Sequence, residues 1–112
     1  MELNEEVFLI KRALFELSES IGRNQLNTTS ISLLALELDI SNEILEKVHL
    51  DLVKLSLEDE DLELNDFKEV IQKYISNVSD LTIIRIIDGF ANTYIPKFKE
   101  YSISLKDDYI TR

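Results

Sequence analysis

The amino-acid sequence predicts an all-α domain over residues 1–112, a small bundle of four to five helices that includes a helix-turn-helix-like pair at residues 31–55. In four segments, apolar residues recur at intervals of three and four, the spacing of one helix face. The chain is 45% apolar with two Gly and one Pro, which argues against disorder. It has no Cys, so neither a disulfide nor a thiolate metal site is possible and the fold must rest on its core.

The first helix is predicted from Asn4, which can serve as its N-cap, with Glu5 and Glu6 at the positive end of the helix dipole. Five apolar side chains share one face at spacings of 3, 4, 3 and 4: Val7, Ile10, Leu14, Leu17 and Ile21. Gly22 can end the helix in the left-handed conformation. The polar stretch 23–29 is predicted to be a loop.

The next two helices form the predicted helix-turn-helix-like pair. Ser30 is a candidate cap for a short helix over residues 31–38, and Ser41 for a second helix. The resemblance to the motif rests on four residues at its buried positions: Ala35, Ile40, Leu45 and Val48. Asp39 stands where the motif usually has Gly, and Asp tolerates a left-handed backbone better than most residues.

The acidic stretch 57–66 is predicted to be a loop or a short, charged turn of helix. Asn65, near its end, is the predicted cap of a fourth helix. Its shared apolar face contains Phe67, Val70, Ile71, Tyr74 and Ile75. The fifth element is open to two interpretations, because Asp88-Gly89 between apolar stretches is a hairpin signal. The polar residues of this region fall at helical intervals instead, which favours one helix from Asp80 to about Ile95.

The C-terminal region beyond Pro96, which should stop the fifth helix, alternates between apolar and polar residues. The apolar positions of this alternation are Tyr101, Ile103 and Leu105. The pattern is that of a short β segment, which could not be stable alone. Three alternatives are open: the segment lies across the bundle, pairs with another strand, or frays. The last five residues are expected to fray.

The charge of the chain is concentrated in its middle third. Twelve Lys and Arg against 22 Asp and Glu give a net charge of −10. Residues 37–69 hold 3 basic and 12 acidic side chains, a net of −9. Such a field attracts a basic protein and disfavours a nucleic acid. The predicted partner-binding residues are Glu43, Glu46, Asp51, Glu58, Asp59, Glu60, Asp61, Glu63, Asp66 and Glu69.

No catalytic motif, cofactor site or metal site is predicted. Asp59, Asp61 and Glu63 alternate as the first ligands of a calcium loop would. Leu64 and Val70, however, occupy the places of the required Gly and bidentate Glu. His49, the single histidine, has no neighbouring His or Cys and is expected to be structural.

This short, acidic, cysteine-free chain, rich in Ile, Asn, Lys and Ser, resembles the bacterial immunity proteins that neutralise colicin-type or contact-dependent inhibition toxins. The resemblance implies a stoichiometric, non-catalytic inhibitor whose partner is a basic toxin domain. The alternative is a transcription regulator, adaptor or anti-repressor derived from the helix-turn-helix segment and acting through protein contacts. Three glutamates in the first nine residues and the lack of a spanning apolar run predict a cytoplasmic protein without membrane contact.

Overall fold

The structure is a computed structural model and describes residues 1–58 and 61–112. It is all-α: within these residues there are six α-helices, one short 3-10 helix and no strand. Their bounds are α1 (Leu3–Ser20), α2 (Ile31–Glu37), α3 (Asn42–Ser56), α4 (Leu64–Gln72), α5 (Asp80–Thr93), the 3-10 helix Pro96–Phe98 and α6 (Lys99–Ile110). The predicted small helical bundle is therefore confirmed.

The core is built around α5, which contacts α2, α4, α6 and the 3-10 helix. Eight consecutive or near-consecutive residues of α5 are buried, because helices cover it on several sides. The side chains that meet there include Val48 and Leu52 of α3, Phe67 and Ile71 of α4, and Phe98 before α6. The ring of Phe67 packs edge-on against that of Phe98, with centroids 5.2 Å apart.

Asp88 and Gly89 lie in the middle of α5, so the favoured single helix is confirmed and the alternative hairpin is wrong. Gly89 is needed for close approach rather than for a turn. A Cβ built on it would lie 2.9 Å from Thr28 Cγ2 and 3.0 Å from Ile31 Cδ1. The β-branched run before Asp88 is helical because both sides of it are buried, and tertiary packing outweighs its local preference for strand.

The predicted C-terminal β segment is wrong, since residues 99–110 form α6. The alternation at Tyr101, Ile103 and Leu105 covers three apolar positions only, and Ile103 is exposed. The residues that contact the core follow helical intervals instead: Phe98, Tyr101, Leu105 and Tyr109. Helix α6 extends through Ile110, into the region where fraying was expected.

Two of the predicted N-caps are confirmed, because the side chains of Ser30 and Ser41 each accept a hydrogen bond from a backbone N–H of the following first turn. Ser79 caps α5 in the same way. The predictions for Asn4 and Asn65 are wrong, since α1 follows Glu2 and α4 follows Glu63. In α4 the carboxylate of Asp66 accepts from the Glu63 N–H at 2.7 Å, which satisfies an amide that the helix leaves free.

The helix-turn-helix-like pair is present as α2 and α3. Asp39, in the place of the usual Gly, has a φ of 56° and takes the left-handed conformation that the turn requires. The Ile40 N–H then donates to the Ala35 carbonyl at 2.8 Å. Gly22, after α1, also has a positive φ, of 113°.

Candidate binding surfaces

The acidic residues predicted to bind a partner lie at two ends of α3 and along α4. Glu43 and Glu46 are in the first two turns of α3, whereas Glu58, Asp61 and Glu63 follow its C-terminus. Glu43 and Glu58 are 15 residues apart, which corresponds to about 22 Å at the helical rise. The fold therefore spreads these carboxylates along an element instead of gathering them into one pocket. Asp59 and Glu60 lie outside the described residues.

Several of these carboxylates are engaged within the fold. Asp51, one of the predicted partner-binding residues, is half-buried and accepts a hydrogen bond from the Tyr74 hydroxyl at 2.6 Å. This bond, followed by burial and the charge of Asp51, raises the pKa of Tyr74. Asp66 holds the start of α4, as described above. Glu43 pairs with Lys47 at 3.3 Å, and Glu46 accepts from Asn42 at 3.2 Å.

Glu58, Asp61 and Glu69 are exposed, and within the described part of the chain none of them forms an ion pair or a side-chain hydrogen bond. Glu58 and Asp61 lie between α3 and α4, and Glu69 lies in the last turn of α4. Their negative charge is therefore uncompensated by the fold. We call these three residues the free carboxylates.

Many of the Lys and Arg side chains, by contrast, form ion pairs within the fold. Arg23 and Arg85 both bind Glu37, and Lys106 pairs with the buried Asp88 at 2.8 Å. The Asp80 carboxylate pairs with Lys68 Nζ at 3.4 Å and with Arg112 Nη1 at 3.1 Å. The Arg112 hydrogen bond and then the Lys68 contacts lower the pKa of Asp80 against the opposing effect of burial. Within residues 37–69, Glu37 is thereby paired with two arginines, and the free carboxylates remain without a cation partner in the described part of the chain.

Helix α1 presents a second surface, which the sequence pattern identified only in part. In α1, which the structure describes in full, Ser18 is the one buried residue. Helix stripes of this kind usually face a core. Here nine large apolar side chains of α1, its C-terminal end and α2 are each at least 45% exposed: Leu3, Val7, Phe8, Leu9, Ile10, Leu14, Leu17, Ile21 and Leu36. Phe8 and Leu9 lie on the opposite side of α1 from the others, so we call the remaining seven residues the α1 apolar face.

The C-terminal half of the α1 apolar face borders a groove of about 410 Å³. Leu14, Leu17 and Ile21 form one wall, while Leu33 and Leu36 of α2 form the other. Ser18 fixes α1 over this groove through a hydrogen bond with the Thr29 hydroxyl. The groove is open to solvent and lined mainly by aliphatic side chains, which suits an apolar segment of another helix.

His49 lies partly buried in α3 with its ring against two aromatic rings, at 5.2 Å from Phe90 and 5.0 Å from Tyr94. These contacts give it a packing role. Within residues 1–58 and 61–112, no three His, Cys, Asp or Glu side chains come close enough together to hold a metal ion. None of the helices in these residues is long and apolar enough to cross a membrane.

No protein-family model, curated protein or solved structure matches the chain.

Proposed function

We propose that this protein is a non-catalytic binding protein that captures a basic protein partner through the acidic segment 43–69. In the most specific form of this proposal, the protein is an immunity protein that covers the cationic site of a nuclease-type toxin. The observation that carries it is the net charge of −9 on residues 37–69 together with the free carboxylates Glu58, Asp61 and Glu69. The cysteine-free composition suits a reducing compartment, and the proposed place of action is the bacterial cytoplasm.

The physical argument starts from the partner. A nuclease cleft must attract phosphates, so it also attracts a protein that presents carboxylates in their place. Exposed carboxylates without internal ion pairs need no rearrangement before they meet Lys or Arg of the partner. They raise the association rate, while any that become buried against a cation slow dissociation. Inhibition would then follow from occlusion, with no bond made or broken by this chain.

The structure also decides which carboxylates belong in the test. Asp51 and Asp66 hold Tyr74 and the start of α4, so changing them would alter the fold along with the surface. We therefore reverse the free carboxylates in one variant, Glu58→Lys, Asp61→Lys and Glu69→Lys. The matched control, with the same change in net charge, is Glu100→Lys, Asp107→Lys and Asp108→Lys on exposed positions of α6.

The measurement is the association rate with the protein encoded beside this chain's gene, at low and at physiological salt. We expect the first variant to associate at least about tenfold more slowly and to lose most of the salt dependence, since steering depends on the local field. The control should retain both. The proposal fails if the first variant keeps the affinity and the salt dependence of the wild type.

A second measurement separates the general proposal from the specific one. If the partner is a nuclease, its activity should fall linearly and reach zero at one equivalent of this protein. If this protein binds the nuclease without inhibiting it, the proposal of a basic protein partner stands and the proposal of an immunity role fails.

The alternative function rests on the observed α2–α3 pair with its left-handed residue Asp39. The exposed start of α3 carries Glu43 and Glu46 against Lys47, which disfavours the phosphates that flank a major groove. A regulator, adaptor or anti-repressor acting through protein contacts is therefore favoured over a DNA reader. We expect no retention of duplex DNA at about 150 mM salt, and a salt slope of several phosphate contacts would contradict this.

A further inference from the structure

The α1 apolar face has the spacing of a helix–helix interface. From Leu3 to Ile21 the intervals are 4, 3, 4, 3 and 4, the repeat that places side chains along a seam between two helices. Val7, Leu14 and Ile21 take one set of seam positions, and Leu3, Ile10 and Leu17 take the other. The neighbouring seam-flanking residue Ala13 is small, which allows two backbones to approach closely.

The apolar area is large enough for a stable interface. Its seven large aliphatic side chains present on the order of 800 Å² per copy, at roughly 100–120 Å² each. About 800 Å² is also what each partner of a standard protein–protein interface buries. A monomer rarely leaves a contiguous apolar patch of this size in water.

We propose that two copies of this chain associate through α1, as an antiparallel helix pair. In this arrangement each seam residue meets its complement on the other helix: Leu3 lies opposite the partner's Ile21, Val7 opposite the partner's Leu17, and Ile10 opposite the partner's Leu14. The contact is self-complementary, because the same surface serves both copies around a two-fold axis near residue 12.

The groove beside α1 accommodates this arrangement. In the register above, Val7–Ile10 of one copy lies over Leu14–Leu17 of the other, next to the groove wall formed by Leu33 and Leu36. Phe8 and Leu9 lie on the opposite side of α1 and take no part in the contact.

Charge supports the antiparallel direction. Helix α1 is about 27 Å long. An antiparallel pair therefore holds the α2–α6 bundles of the two copies, which carry most of the negative charge, at opposite ends of the paired helices. A parallel pair would place them side by side, together with the two sets of N-terminal glutamates Glu2, Glu5 and Glu6. Residues 1–20 hold five glutamates against one Lys and one Arg. This negative charge also disfavours an anionic lipid surface as the partner of the α1 apolar face.

The first test is the oligomeric state of the full chain by sedimentation velocity. At about 100 µM the wild type should be a dimer, since interfaces of this area bind with micromolar affinity or tighter. The variant Ile10→Glu with Leu14→Glu should weaken the dimer at least about 100-fold, because the pair would bury uncompensated charge. The control Arg12→Gln lies on the opposite side of the helix and should remain a dimer.

The fold of the variant is checked by the near-ultraviolet circular dichroism of the tyrosines, none of which is in α1. Since Ile10 and Leu14 do not contact the core, this signal should be unchanged. A monomeric wild type, or a glutamate variant that remains a dimer, overturns the proposal.

The second test is the direction, for which the cysteine-free chain is a clean background. Ala13→Cys should form a disulfide across the two-fold axis under mild oxidation. Leu3→Cys should not, because the two Leu3 positions of an antiparallel pair lie about 27 Å apart. A disulfide at Leu3→Cys without one at Ala13→Cys would show a parallel pair and overturn the proposed geometry.

Discussion

At the scale of single residues, the buried carboxylate of Asp88 joins three parts of the chain. It is 4% exposed and accepts hydrogen bonds from the Thr28 N–H at 2.7 Å and from the Ser102 hydroxyl at 2.8 Å. Its ion pair with Lys106 anchors α6. None of these partners is close to Asp88 in sequence. The local sequence therefore indicated only that Asp88-Gly89 could form a turn.

We expect Asp88→Ala to lower the free energy of unfolding by roughly 3–5 kcal/mol, because Lys106 and the Thr28 amide would stay partly buried without their partner. Asp107→Ala, on an exposed position of α6, should change it by less than about 0.5 kcal/mol. The comparison is made by urea denaturation. Equal effects of the two substitutions would contradict the structural role given to Asp88.

Asp80 predicts a pH dependence of stability. Its pKa is lowered from 3.8 by Arg112 first and also by Lys68, so the ionised form is favoured in the folded state. The resulting stability is present above the unfolded pKa and is lost as the pH falls through the lower folded value.

We therefore expect Asp80→Asn to lower the free energy of unfolding by about 0.5–1 kcal/mol at pH 7, a modest amount because the pair is partly exposed. The difference from the wild type should shrink as the pH falls below 3.8. Urea denaturation at pH 7 and at pH 3 measures both. An equal difference at the two pH values would show that the charge of Asp80 is not the cause.

At the scale of elements, the sequence predicted best what is decided within one turn of helix. The caps Ser30 and Ser41 act on amides three residues away, and the left-handed Asp39 depends on its own backbone. Helix α6 was missed because its contacts with the core follow intervals that a three-residue alternation obscured. The stripe of α1 was visible, but a pattern shows which side chains share a face and not whether anything covers it.

Gly89 tests how closely α5 approaches the loop before α2. Alanine inside a helix normally adds up to about 1 kcal/mol over glycine, but overpacking costs about 1–3 kcal/mol. The Thr28 side chain cannot move away easily, because its hydroxyl donates to the Arg85 carbonyl at 2.8 Å. We expect Gly89→Ala to lower the melting temperature. Adding Thr28→Ser, which removes Cγ2 and keeps the hydroxyl, should recover part of the loss, and no recovery would contradict the contact.

At the scale of the whole molecule, counting charges along the sequence located the acidic segment that contains the free carboxylates. It did not reveal that Asp51 and Asp66 of the same segment form hydrogen bonds within the fold. Tyr74 lies 23 residues from Asp51, and the Asp66 bond exists only because α4 begins earlier than Asn65 suggested. The sequence thus indicated where the charge lies, and the fold decided which part of it remains uncompensated.

That uncompensated charge predicts how stability responds to salt. Like charges in residues 37–69 repel in the folded state, and salt screens them over about 10 Å at 0.1 M. At one protein concentration, the wild type should become more stable as salt rises from low to physiological strength. Removing three of these charges should reproduce part of that gain without salt.

The variant is Glu58→Gln, Asp61→Asn and Glu69→Gln, which should gain roughly 0.5–1 kcal/mol at low salt and respond less to added salt. Its control removes three carboxylates that each pair with a cation four residues away: Glu16→Gln, Glu19→Gln and Glu43→Gln. The control has the same net charge but loses attractions, so it should gain nothing. Urea denaturation at the two salt concentrations distinguishes them. Equal gains in both variants would mean that total charge, and not its concentration around α3 and α4, sets the repulsion.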